Sequence, residues 1–182
     1  MSRIFTILAW VAILMIVANL ILGLSLGDIR QLDPAELRWA TVHRLVGVAA
    51  GLAVVFVNSI VVTYFVGTSR WTKEVVETYQ LDDDFIRRST RLKRRTFPWA
   101  TLSMLVIVGV VALGGAADPG TGRPNTDEWV TPHLLGSLAG LAFVAWASVI
   151  EWHNIAVNQQ IIVEIQAEVR RIRLERGWPV EE

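Results

Sequence analysis

Four uninterrupted apolar stretches run through this chain, and they restrict its possible folds more than any other feature. A helix rises about 1.5 Å per residue, so roughly 20 apolar residues cross the ~30 Å of hydrocarbon in a bilayer. Segments at about 4–26, 42–66, 97–117 and 132–150 have that length. The only charged residue within them is Arg44, near the start of the second. In lipid the backbone must satisfy its own polar groups, which makes each span a helix. The sequence therefore predicts an all-α fold: a four-transmembrane-helix bundle in a single membrane domain, 1–182. Of the residues, 53% are hydrophobic, and the excess over a soluble chain lies in these four runs.

The first run has an Arg3 flank like a signal peptide. It exceeds the roughly 7–15-residue core of such a peptide and lacks a small-residue cleavage pattern, so it is expected to stay as an anchor. Lys and Arg set the orientation. Residues 67–96 hold Arg70, Lys73, Arg87, Arg88, Arg91, Lys93, Arg94 and Arg95, and the tail holds Arg170, Arg171, Arg173 and Arg176. The other two loops hold only Arg30, Arg38 and Arg123. The expected location is the inner (cytoplasmic) membrane with both termini in the cytoplasm. The second and fourth spans then both run inward from the outer surface.

The two halves of the chain resemble each other at an offset of about 90 residues. Trp39-Ala-Thr41-Val-His43 and Trp129-Val-Thr131-Pro-His133 share the pattern W-x-T-x-H, and each precedes a run rich in Gly and Ala. Trp10 and Met15 correspond to Trp99 and Met104, and Gly27-Asp28 to Ala117-Asp118. Two repeated helical hairpins in parallel orientation give a pseudo-two-fold axis along the membrane normal.

His43 and His133 thereby fall at equivalent depths near the outer edge of the hydrocarbon. Ionisable groups in a span face the bundle interior or a partner. Two imidazoles on diagonal helices are placed to ligate one haem iron from both sides. His43, Gly47 and Gly51 follow i, i+4, i+8, and His133, Gly136 and Gly140 follow i, i+3, i+7, so each trio shares a helix face with room beside the ligand. Arg44 is placed to pair with a haem propionate. Other readings of the same residues stand beside this one. Small-xxx-small spacing is also a device of helix packing, and Thr131-Pro132 reads as a helix start. An interfacial His can hydrogen-bond to a carbonyl or to water, or one His alone can hold a bacteriochlorophyll. His153, without a fourth histidine to pair with, is expected at the interface beside Glu151 and Trp152.

The absence of cysteine excludes disulfides, thiolate metal sites, Cys nucleophiles and a thioether-linked haem. No nucleophile–base constellation supports hydrolysis, and no charge pair within the spans supports transport. Helical regions at about 67–96 and 151–176 are expected on the cytoplasmic side. Trp71, Val75 and Tyr79 continue the second helix, Asp82-Asp83-Asp84 makes a turn and helix start, and Ile155, Asn158, Ile162, Ile165, Val169 and Ile172 form a packing seam. Arg91, Lys93, Arg94 and Arg95 suit anionic lipid headgroups, and the positive-inside bias already accounts for them without nucleic acid.

At Trp39-x-Thr41-x-His43-Arg44 the chain resembles the haem A synthase family, whose members look like two fused four-helix halves with a His on the second and fourth helix of each. This chain corresponds to one half. The resemblance implies His43 and His133 as axial ligands and Arg44 as propionate partner. Ala40 stands where that family has a Glu associated with its oxidation chemistry, and the outer cysteine pair of bacterial members is absent. What the resemblance implies is one haem b, serving electron transfer or an accessory role in a respiratory or haem-handling complex. The alternative is a cofactor-free membrane scaffold or assembly subunit acting through its cytoplasmic helices. Expected partners are membrane lipid, and either membrane-complex subunits or a second copy of the chain, with no nucleic acid.

Overall fold

The computed structural model describes residues 1–27 and 34–179; Asp28 and Arg30 lie outside them. Four long helices carry the architecture: α1 (Ser2–Ser25), α2 (Pro34–Tyr79), α3 (Asp84–Ala117) and α4 (Val130–Glu175). No strand occurs among the described residues. All four are long and apolar enough to cross a membrane, with mean hydropathies of 2.7, 2.5, 2.2 and 1.8 over their most apolar windows.

Three helices outrun their apolar stretches. At 46 residues each, α2 and α4 measure about 69 Å, more than twice the hydrocarbon thickness. Neither breaks where its apolar stretch ends. Polar residues of good helix propensity (Glu74, Glu77, Glu164, Gln166 and Glu168 among them) continue the helices as polar-faced rods. Trp71, Val75 and Tyr79 are partly buried, and Thr72 and Val76 take the fully buried positions beside them. Of the expected α4 seam, Ile155, Asn158 and Ile165 are buried; Ile161 is buried too, with Ile162 half-buried at its flank.

The Asp triplet forms the turn between α2 and α3. Gln80 takes a left-handed backbone with φ 55°, and the Asp82 side chain accepts from the Asp84 N–H at 2.7 Å. That bond satisfies one of the free donors of the new helix, and acidic charge suits its positive end. At the other end of the bundle the start of α4 differs from the sequence reading. A 3-10 turn over Thr126–Trp129 runs into the helix, which begins at Val130. Pro132 thus falls within the first turn, not at its first position. It fits there because N–H groups of the first turn have no intrahelical acceptor. Pro98 lies inside α3 and removes one bond of that helix where its apolar stretch begins.

The helices are arranged so that α1 and α3 each pack on both α2 and α4, which places α2 and α4 on a diagonal. Phe5, Ala9, Ala12 and Ile16 of α1 and Val54, Val57, Val61 and Phe65 of α2 belong to one buried cluster, each set at three- and four-residue spacing. Large apolar side chains such as Leu14, Leu45, Leu105 and Trp146 ring the outside of the bundle. In water so large an exposed apolar surface would be a liability; lipid is the solvent it suits. Because lipid tails are as apolar as leucine, the helices cohere by close packing and by hydrogen bonds.

Candidate functional site

The close-packed core does not extend along the whole bundle. No residue among 17–27, 41–49, 108–118 and 127–139 is fully buried. The four helices enclose there a cavity of about 550 Å³, within the size range of ligand sites. Its walls include Asn19 and Gly23 of α1, His43 and Gly47 of α2, Gly114 of α3 and His133 of α4, with Arg44 and Asp118 also in its lining.

His43 and His133 meet across this cavity from the diagonal helices. Their ring centroids are 6.3 Å apart, with the planes at 73°. The Nδ1 of His43 lies 3.1 Å from the backbone oxygen of Asn19. In the tautomer that donates this bond, Nε2 keeps its lone pair for another partner. His133 interacts with the Val110 backbone on α3, and its Nδ1 makes no well-formed hydrogen bond. Each ring therefore rests on the helix that precedes its own.

Glycine makes both positions possible. A Cβ on Gly23 would lie 2.8 Å from Cε1 of His43, and one on Gly114 would lie 3.0 Å from Cε1 of His133. These separations are shorter than van der Waals contact, so each imidazole occupies the space a side chain would otherwise fill. The glycines singled out in the sequence serve differently. Gly47 lines the cavity and its missing Cβ leaves room for the Asn19 amide. Gly51 faces Val111, Gly136 faces Leu113 and Gly140 faces Val110, all on α3. Those three admit close helix approach, the packing use of small residues, and do not line the cavity.

Arg44 is already engaged. Its Nη1 donates to Asp118 Oδ2 at 3.0 Å, its Nη2 to Thr41 Oγ1 at 3.1 Å and its Nε to the Ala40 carbonyl at 3.3 Å. Asp118 also accepts from the Gly120 N–H at 2.8 Å, so this ion pair ties α2 to the turn after α3. His153 is exposed on α4, far along the helix from His133. Ala40 is buried.

Sequence reasoning passed over three groups that matter. Gly23 and Gly114 sit 91 residues apart, within one residue of the 90 that separate the histidines they support, and that near match was the available signal. The Asn19 carbonyl leaves no trace in a sequence, because a backbone acceptor belongs to every residue. Glu151 reads as an interfacial carboxylate beside His153, yet it is 1% exposed. Asn154 and Asn158 at i+3 and i+7 marked its face as a polar stripe.

Among the described residues no group of three or more His, Asp or Glu could hold a bare metal ion. The cavity brings two imidazoles, His43 and His133, to its walls. Fold and cavity together define a helical bundle of membrane-spanning type with paired imidazoles at one end. No protein-family model, curated protein or solved structure matches the chain.

Proposed function

We propose that this chain is an integral membrane protein holding one haem b between His43 and His133, as a haem A synthase-like half serving electron transfer or an accessory role in a respiratory or haem-handling complex. The 6.3 Å separation of the imidazole centroids carries this reading. Two imidazoles bound on opposite sides of one metal at about 2 Å per bond would have centroids roughly 6–6.5 Å apart. The Asn19 carbonyl at the His43 Nδ1 is the outer-shell partner that orients a ligating imidazole and raises its basicity. A haem supplies one-electron chemistry; the chain would supply the two nitrogens and the glycine recesses beside them. Arg44 would serve a propionate by sharing its guanidinium between that group and Asp118.

The same reading places the histidine end at the outer face of the inner membrane and both termini in the cytoplasm, by the bias of Lys and Arg. It treats the chain as two repeated hairpins. The parallel placing of His43 on Gly23 and of His133 on Gly114 supports that relation. The extensions of α2, α3 and α4 are then cytoplasmic helices, with the basic start of α3 against anionic lipid. An absorption spectrum of detergent-purified protein from haem-sufficient cells tests the proposal. The expected result is a Soret band that is lost in His43→Ala and in His133→Ala. Folded but colourless wild-type protein would overturn it.

A second reading has its own observation. Val163 and Leu174 are exposed on the part of α4 beyond its apolar stretch. A cofactor-free scaffold or assembly subunit would use that surface for a membrane-complex subunit or a second copy of the chain. It predicts that deleting residues 156–182 abolishes co-purification of the partner, while both histidine variants behave as wild type.

A further inference from the structure

Away from the histidine cavity, the bundle buries a column of polar side chains. On α4, Glu151, Asn154 and Asn158 follow i, i+3, i+7 and share one face, each 1% exposed. On α3, Ser89, Thr96 and Ser103 recur every seven residues and are equally buried. Asn154 Nδ2 donates to Thr96 Oγ1 at 3.0 Å. Asn158 Nδ2 donates to the Tyr64 hydroxyl and to Thr68 Oγ1, both at 3.1 Å. These bonds join α4 to its neighbour α3 and, across the diagonal, to α2.

The contact between Asn154 and Thr96 fixes the level of Glu151. It lies one turn nearer the histidine end, about 4.5 Å along the axis, between Thr96 and Ser103. Among the described residues, no ion pair joins Glu151 to the titratable and charged groups of the surrounding elements. On α2, the Tyr64 hydroxyl accepts from Asn158 Nδ2, and Arg70 is exposed and pairs with Glu74. On α3, Lys93 is half-buried without an ion pair, and Arg94 and Arg95 are exposed just before Thr96. On α1, Arg3 is exposed, and the Met1 amino end is half-buried against the apolar core. On α4 itself, His153 is exposed.

Glu151 Oε1, Asn154 Oδ1 and Asn158 Oδ1 are buried acceptors without a hydrogen bond, and the hydroxyls of Ser103, Ser89 and Thr72 are buried without one as well. A hydroxyl can turn its O–H toward such an acceptor, but it does not offset a negative charge on Glu151. A carboxylic acid adds an O–H donor and removes an uncompensated charge from an apolar bundle, which is costly in lipid. Beyond Asn158 the buried hydroxyls of Thr72 and Ser89 continue the column toward the end where α2 and α3 join, and neither oxygen has a partner.

We propose that Glu151 is a proton-binding site, carrying its proton as a neutral carboxylic acid and exchanging it with water at the α2–α3 turn end through the amide and hydroxyl column. The proton comes from, and returns to, that aqueous phase, with no bond to carbon made or broken. The proposal stands without the haem reading, since no member of the column lines the histidine cavity.

Infrared spectroscopy of the full-length protein in liposomes tests it. The expected result is a protonated-carboxyl C=O band at neutral pH that shifts in D2O and vanishes in Glu151→Gln, whose amide mimics the neutral acid and preserves the fold. Asn154→Leu interrupts the column and slows the D2O shift severalfold; if that variant fails to fold, Thr96→Val takes its place. Three outcomes would overturn the proposal. The band is absent at neutral pH; or it appears only when sodium and potassium are removed, which would make the site a cation site; or it is present yet does not shift in D2O, which would make it sealed.

Discussion

Gly23 lies so close beneath His43 that a Cβ there would stand 2.8 Å from the ring Cε1. The ring is the free end of a flexible side chain, so Gly23→Ala moves the imidazole and leaves the backbone in place. Alanine also favours a helix interior over glycine by about 1 kcal/mol. The expected outcome is a variant as thermostable as wild type or more so, with reduced haem content and a weakened Soret band. Gly114→Ala should do the same to His133. Unchanged haem loading in both variants would show that neither ring position matters.

Asn158 joins α4 to Tyr64 and Thr68 through one amide. Asn158→Ala strips that donor from the Tyr64 hydroxyl and leaves a gap in the seam. Losing a buried hydrogen-bonding partner costs about 1–3 kcal/mol. Thermal unfolding in detergent should show a lowered midpoint, with haem absorbance per folded molecule unaffected. Loss of haem before unfolding would mean that the two ends of the bundle are coupled.

Asp118 holds Arg44 and caps the following turn with different oxygens, Oδ2 and Oδ1. Asp118→Asn keeps an acceptor for the Gly120 N–H while removing the charge; Asp118→Ala removes both. The cap alone is worth about 1 kcal/mol. Asp118→Ala should therefore destabilise the protein more than Asp118→Asn, as read from unfolding midpoints. Equal effects would assign the whole contribution to the ion pair.

Arg88 and Glu164 form a two-bond pair between α3 and α4 beyond the apolar stretches, at 2.6 and 3.2 Å. The guanidinium hydrogen bond holds the Glu164 carboxyl below the usual carboxylate range and raises the Arg88 pKa. A lowered acid pKa means stabilisation that is present above the ordinary value of 4.5 and is lost as pH falls through the lowered one. Both groups are largely solvated, so a double-mutant cycle with Arg88→Gln and Glu164→Gln should give no more than about 1 kcal/mol at neutral pH and nothing in strong acid. A coupling that survives protonation of Glu164 would contradict the assignment.

The helices, their number and their approximate limits follow from the sequence because hydrocarbon thickness sets one length scale for every span. Composition also carried the paired histidines, since an ionisable residue in an apolar run is conspicuous wherever it occurs. The uses of Gly51, Gly136 and Gly140 were not legible in the same way. A glycine stripe has two faces to serve, and only the rotation of α2 and α4 against α3 turned these residues toward Val111, Leu113 and Val110. The register of the α4 seam had the same ambiguity, and Ile161 took the buried place that Ile162 could also have filled.

By itself, then, the sequence determined an all-helical chain of four lipid-compatible spans, because hydropathy and length are local properties summed along a segment. Only the tertiary structure decided that His43 and His133 meet at 6.3 Å over two glycines, that Arg44 is held by Asp118, and that Glu151 is enclosed without a counter-charge. Each of these depends on how helices distant in sequence are rotated and shifted against one another. That choice is made by close packing between faces, which no single segment contains.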